Sequence, residues 1–274
     1  MLRLLHTPPL DGAANMALDE ALLARARRTG ELVVRVYTWE RPTLSLGRNQ
    51  TARGIYDAER AGAHGIAVVR RPTGGRAVLH ARELTYSITA PLDALVAGER
   101  SLRAAYGRVN AMLADAVRSL GVDAELAPAS GRARRPDGAP CFEAPTAGEL
   151  VAGTGARKLV GSAQWREDGA LLQHGSILID DDQGLLACCA VAPLPPFARP
   201  ATLTGLLGRA PSVGEVAFAV FDAAHRLGAA LGRAVAPAVY GTAADGATLD
   251  DPALDAEVAR LLPRYADPGW TWRR

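Results

Sequence analysis

Thirty of the 31 basic residues in this chain are arginine, and one, Lys158, is lysine. A guanidinium is planar, always charged and forked, whereas an ammonium is a compact point charge whose pKa and position respond to burial. The sequence uses Arg wherever positive charge alone is needed, so the one Lys is a candidate for chemistry that Arg performs badly. It reads equally well as a leftover of an Arg-rich composition, and the tie is broken only by what lies near it. Lys158 stands 17 positions after Cys141 and opens Lys158-Leu159-Val160-Gly161-Ser162-Ala163. A free thiol has a pKa near ~8.5 and is mostly protonated at neutral pH. An ammonium within about 4–6 Å lowers such a value by roughly 1–3 units and so creates a nucleophile.

Three other segments carry residues suited to such chemistry. Arg71, Gly74, Gly75, Arg76 and His80 lie in Arg70-Arg71-Pro72-Thr73-Gly74-Gly75-Arg76-Ala77-Val78-Leu79-His80. Paired glycines turn sharply and admit a ligand close to the backbone. No Gly-Lys-[Ser/Thr] follows, which excludes a phosphate-binding P-loop. Gly161, Ser162 and Ala163 leave room beside a strand for a ligand tail, and His174 sits in Leu172-Gln173-His174-Gly175-Ser176. Each has a plain alternative: a buried histidine is usually a satisfied core residue, and one cysteine is usually structural. Cys188 and Cys189 are read as small buried hydrophobes.

These segments need a scaffold. Apolar spacing predicts a helix over 13–29 capped by Asp11, and an amphipathic helix over 102–120 closed by Gly121. Strands are expected at 31–39, 43–46, 66–70, 77–80 and 84–89, then at 149–152, 158–165, 170–173 and 176–179. A short helix is read at 56–63, and later helices at 213–231 and 252–262. Residues 127–140, rich in Pro, Gly and Arg, read as a mobile loop. Strands and helices mix without regular alternation, which predicts an α+β fold with a mixed or antiparallel sheet flanked by helices. Residues 1–210 are expected to form the catalytic domain, with 211–274 a helical segment packed on it.

Composition narrows the function. A net charge of +2 is too small for a nucleic-acid binder. Three cysteines without a CxxC pair give no disulfide framework and fit a reducing cytosol. No secretory signal or membrane-spanning run is read, so a cytoplasmic location without membrane partners is expected.

In order, the segments 70–80, Glu83-Leu84-Thr85-Tyr86-Ser87, Cys141-Phe142, 158–164 and 172–178 resemble the biotin/lipoate protein ligase-like acyltransferase family. Met16-Ala17-Leu18-Asp19-Glu20-Ala21-Leu22 and Gly47-Arg48-Asn49-Gln50 add to the likeness, which covers about residues 10–185. Within the family, Gly-Gly-Arg-Ala-Val-Leu-His with Cys-Phe is most similar to octanoyltransferases of the LipM type. That resemblance implies a class II synthetase-like, biotinyl/lipoyl ligase-like catalytic domain. It implies transfer of an octanoyl group from acyl carrier protein to a lysine of a lipoyl domain or glycine-cleavage H protein, by way of an acyl-cysteine on Cys141. Lys158 would tune the thiol and touch the acyl carbonyl. Arg71, Gly74, Gly75, Arg76, His80, Gly161, Ser162, Ala163 and His174 would line or support the acyl site. The Arg-rich loop 132–135 would dock the acidic partner proteins. No cofactor is implied; ATP and magnesium enter only in the rival reading, a lipoate-protein ligase. An amidotransferase moving octanoyl between lipoyl domains is the other alternative.

Overall fold

The computed structural model describes residues 1–96, 101–128, 142, 145, 147–239 and 251–274. Cys141 and the arginines at 132–135 therefore lie outside the described residues. In chain order the strands are β1 (Leu2–His6), β2 (Leu32–Tyr37), β3 (Thr43–Leu46), β4 (Ala67–Arg70), β5 (Val78–His80) and β6 (Glu83–Pro91). They continue as β7 (Ala124–Leu126), β8 (Leu150–Ala152), β9 (Arg157–Lys158), β10 (Val160–Glu167), β11 (Ala170–Leu178) and β12 (Val235–Val239). The helices are α1 (Gly12–Thr29), α2 (Ala58–Ala63), α3 (Leu92–Leu95), α4 (Leu102–Ser119), α5 (Leu186–Cys189), α6 (Leu203–Leu207), α7 (Val213–Ala230), α8 (Pro252–Ala266) and α9 (Pro268–Thr271).

Six strands form the main sheet in the order β10-β11-β6-β2-β1-β12. The pairs that include β1 are parallel and the rest are antiparallel, so the sheet is mixed, as the α+β reading requires. Two three-stranded sheets, β4-β3-β5 and β7-β8-β9, stand beside it. The expected cap on α1 is present: the Ala14 N–H donates to Asp11 Oδ1 over 2.7 Å, and Gly30 ends the helix at φ 70°.

Strand alternation gives the main sheet two unlike faces. Leu32, Val34 and Val36 of β2, with Leu84, Tyr86 and Ile88 of β6, join the core beneath α4 and α7. The other face, under α1, carries Val33 but also buried Arg35, Thr85, Ser87, His174 and Ser176. Burying polar groups costs free energy unless they are hydrogen-bonded, so this face is the one to inspect for a site.

Three expected elements come out differently. The strands at 170–173 and 176–179 are one, β11, because Gly175 lets the ladder run on. A Cβ there would stand 2.1 Å from the carbonyl oxygen of Gly161 on β10. The strand expected at 158–165 divides at fully buried Leu159, leaving Lys158 on the small sheet and Gly161 on the main one. Beyond 211 the chain is not only helical. β12 pairs in parallel with β1, and Pro237 sits opposite Leu4. Pro and Ala hide the strand pattern there, but an edge strand tolerates Pro because one row of its N–H groups is unpaired anyway.

Replacing Gly175 by Ala is expected to cost about 1–3 kcal/mol, as overpacking does. Urea unfolding measures it; an unchanged midpoint would mean that β10 and β11 spread without penalty.

Candidate active site

Between α1, the main sheet and the β4-β3-β5 sheet lies a cavity with about 430 Å³ of space between protein atoms, part of it open to solvent. Met16, Tyr37, Trp39 and Val78 line it, with Arg71, Gly75 and His80 from the second sheet and its turn. Gly161, Ser162, Ala163, His174, Gly175 and Ser176 form the wall made by β10 and β11. A space of this kind, mostly apolar with a few convergent polar groups, is the usual setting of a small-molecule site.

One buried carboxylate organises the polar face. Asp19 on α1 is fully buried and takes hydrogen bonds from Arg35 Nη1 at 2.7 Å, Ser87 Oγ at 2.7 Å and the Tyr37 hydroxyl at 2.9 Å. Its Oδ2 lies 2.9 Å from His174 Nδ1, and the far nitrogen of that ring, Nε2, lies 2.6 Å from the Thr73 hydroxyl. Arg35 is held in turn by Asn15 and Thr7. Burial alone would lift the Asp19 carboxyl, but Arg35 and the bond from His174 outweigh it and hold the group below its ordinary value. Burial pushes the His174 imidazole down, against the pull of Asp19. A neutral ring then donates from Nδ1 to Asp19 and accepts at Nε2 from Thr73, the residue before the Gly-Gly turn.

A second knot surrounds His80. Its Nε2 is 2.8 Å from Ser45 Oγ, and its Nδ1 is 3.2 Å from Glu83 Oε1 and 3.1 Å from Ser176 Oγ. Trp39 stacks on the ring at 4.2 Å and donates to Glu83 and Thr85. Arg71 donates to the Ser45 carbonyl and hydroxyl and to the carbonyls of Gly74 and Arg76, so one guanidinium fixes the Gly-Gly turn from inside. Gly75 adopts φ +94°, which favours glycine.

Lys158 does not itself line the cavity; its Cε lies on the side of Gly161 toward which a Cβ there would point. It is 3 % exposed, and its Nζ is 2.9 Å from Oε1 of Glu149, also 3 % exposed. The ammonium is 5.2 Å from the centroid of Phe142, whose ring packs against Gly161. Glu149 is carried on a braced turn. Asn110 of α4 donates to the Gly148 carbonyl at 2.6 Å and accepts from Gln173, which also donates to the Tyr86 hydroxyl beside Ser162.

Of the residues singled out from sequence, Arg71, Gly75, His80, Gly161, Ser162, Ala163 and His174 meet at one cavity. Gly74 and Arg76 stand behind the wall as carbonyl acceptors for Arg71. Asp19, Arg35, Thr73, Ser45, Glu83 and Glu149 were not singled out. Asp19 carried a signal: an acid among Met16, Ala17, Leu18 and Leu22 of an apolar helix face needs a buried partner. Cys189 is buried, and burial lifts its thiol to about 11; Cys188 is half-buried. Among the described residues no cluster of His, Cys, Asp and Glu could hold a metal ion.

The sequence profile of the lipoyl protein ligase A/B catalytic domain matches residues 11–223. The chain belongs to that family. It is 43 % identical over 191 residues to the octanoyltransferase LipM of Kyrpidia tusciae, a match covering 68 % of this chain and 69 % of the relative. It is 43 % identical over 188 residues to LipM of Geobacillus kaustophilus, covering 66 % of this chain and 65 % of the relative. These relatives make the chain an acyltransferase. Among solved structures, a bipartite lipoate protein ligase from Thermoplasma acidophilum superposes with a TM-score of 0.74 at 21 % identity. That match covers 99 % of this chain and 95 % of the other, and it establishes the lipoyl ligase fold.

The His174 arrangement has a pH signature. The folded pKa of His174 lies below its ordinary value of 6.5, so the unfolded chain takes the proton first. Stability is therefore complete above that pH and declines as pH falls toward the folded value; Asp19 adds a later decline, below 3.8. Urea unfolding across this range should show both limbs, and His174→Gln should remove the upper one. The same upper decline in the variant would remove His174 as its cause.

Proposed function

We propose that this acyltransferase of the lipoylation family moves an octanoyl group from acyl carrier protein to a lysine of a lipoyl domain or H protein, through Cys141. The observation that carries the reading is buried Lys158 paired with Glu149 and set against Phe142, the residue that follows Cys141. The likeness to octanoyltransferases of the LipM type supports the acyl group.

In this reading the Cys141 thiolate attacks the carbonyl carbon of the octanoyl thioester. The C–S bond to the carrier breaks, and the carrier thiolate leaves and takes a proton from solvent. The acceptor lysine then attacks the octanoyl-cysteine as a free amine, an amide forms, and the amine proton departs as the Cys141 thiolate is restored. In this reading Lys158, held by Glu149, also donates to the thiolate and to the developing oxyanion during the reaction. Glu149 supplies the buried ammonium with an opposite charge at 2.9 Å. A thioester is already activated, so neither ATP nor magnesium is needed in this scheme. The cavity beside Gly161–Ala163 receives the alkyl tail, and cytoplasmic partner proteins supply and accept it.

Mixing the chain with octanoyl carrier protein, without ATP, should add one octanoyl mass to the peptide containing Cys141. Cys141→Ser should abolish both adduct and transfer. Turnover unchanged in that variant, or lipoate-dependent exchange between ATP and pyrophosphate, would replace the transferase with a ligase. Lys158→Arg should fold and lose about 10²-fold in kcat; near-normal turnover would remove Lys158 from the chemistry.

A further inference from the structure

Residues 268–274 lie outside the stretch matched by the family profile, and none of them lines the cavity. They are nevertheless tied to both loops that shape it. Trp270 Nε1 donates to the Arg70 carbonyl at 2.9 Å, and Arg70 Nε donates back to the Thr271 carbonyl at 2.8 Å. The Ala52 and Arg53 N–H groups both donate to the Arg274 carbonyl at 3.0 Å. Arg273 stacks on the Trp270 ring at 3.9 Å and donates from Nη2 to the Arg48 carbonyl at 2.5 Å.

From the 47–53 loop the connection continues inward. Arg70 Nη1 donates to the carbonyls of Gly47 and Gln50, at 2.6 and 2.8 Å. The Arg48 N–H donates to the Thr73 carbonyl at 2.7 Å. The two loops press backbone to backbone, since a Cβ on Gly47 would stand 2.0 Å from the Gly75 carbonyl oxygen. Thr73 is also the residue that His174 holds, and Gly75 is part of the cavity wall. The joint is also costly. Gln50 Nε2, Arg70 Nη2 and Arg273 Nε are buried without hydrogen-bond partners among the described residues. Burial and the neighbouring Arg273, Arg274 and Arg71 push the Arg70 pKa down to about 10.

We propose that the segment 268–274 is a clamp that sets the 47–50 and 72–76 loops, and through them the wall of the acyl site. Arg273, Trp270 and Arg70 are its positioning residues. Only the kinetic part of the test rests on the octanoyl-transfer reading.

Hydrogen exchange followed by mass spectrometry on the full chain decides the structural part. In Arg273→Ala, peptides covering 47–53 and 72–76 should exchange about tenfold faster, the effect of losing one hydrogen bond on local opening. Those from β11 should be unchanged. The KM for octanoyl carrier protein should rise by a similar factor, with the acceptor KM and the melting temperature nearly constant. Arg273→Lys keeps a donor toward Arg48 and should restore most of both. Arg260→Ala, an exposed position on α8, serves as the unaffected control. Faster exchange confined to 268–274, or spread evenly through the chain, would overturn the clamp, as would a donor KM left unchanged. If Arg273→Ala does not fold, Trp270→Phe, which keeps an aromatic face for Arg273 but loses the N–H to Arg70, carries the same comparison. If the unaltered chain transfers no octanoyl group, the functional reading falls and the exchange pattern alone decides the clamp.

Discussion

A carboxylate with no access to water sits at the centre of this structure. Asp19 cannot be solvated, so it must be matched by protein donors from several directions. Arg35 comes from β2, Ser87 from β6 and His174 from β11, three strands that are not consecutive in sequence. α1 and the main sheet are thereby locked in one register. The lock reaches the Gly-Gly turn because His174 has a second nitrogen, and Thr73 is bonded to it. Without that carboxylate, Arg35 would be a buried cation with no anion, a far larger penalty than a lost surface contact.

The second buried pair, Glu149 with Lys158, follows the same rule in a different setting. Taking two charges out of water is expensive, and apolar residues of equal volume are often at least as stable. Such a pair is weak evidence for stability and better evidence for a position that has to be charged. Both partners stand on the β7-β8-β9 side, while the cavity wall at Gly161 belongs to the main sheet. The division of the strand at Leu159 creates that arrangement: the side chains on either side of it serve two different sheets.

Much of the scaffold was legible in the sequence because its signals are local. Asp11 and Gly30 bracket α1, apolar spacing marks α4, and Gly-Gly marks the turn beside the cavity. What stayed hidden is long-range. β1 and β12 are short, and each is made a strand by pairing with residues far away; Pro237 masked β12 altogether. The site followed the same division. Small residues, the glycine turn and the lone lysine stand out by type. Asp19, Thr73 and Glu149 matter through partners that only folding supplies, 155 positions away for Asp19 and His174. The joint made by Trp270 and Arg273 lies far along the chain from every motif, in a stretch whose composition is unremarked.

The backbone contact between Gly47 and Gly75 leaves no volume for a side chain at either place; a Cβ on Gly75 would also meet Arg71 Nη2 at 2.8 Å. That part of the wall is therefore closed to variation in shape. Tyr37 and Trp39 are held too, by hydrogen bonds to Asp19 and Glu83. Met16, Val78 and Ala163 remain as side chains that can grow or shrink without breaking a polar contact. If the cavity holds the acyl chain, as proposed, a drift in the chain length accepted passes, among the described residues, through those three positions, which narrows the routes by which selectivity can evolve.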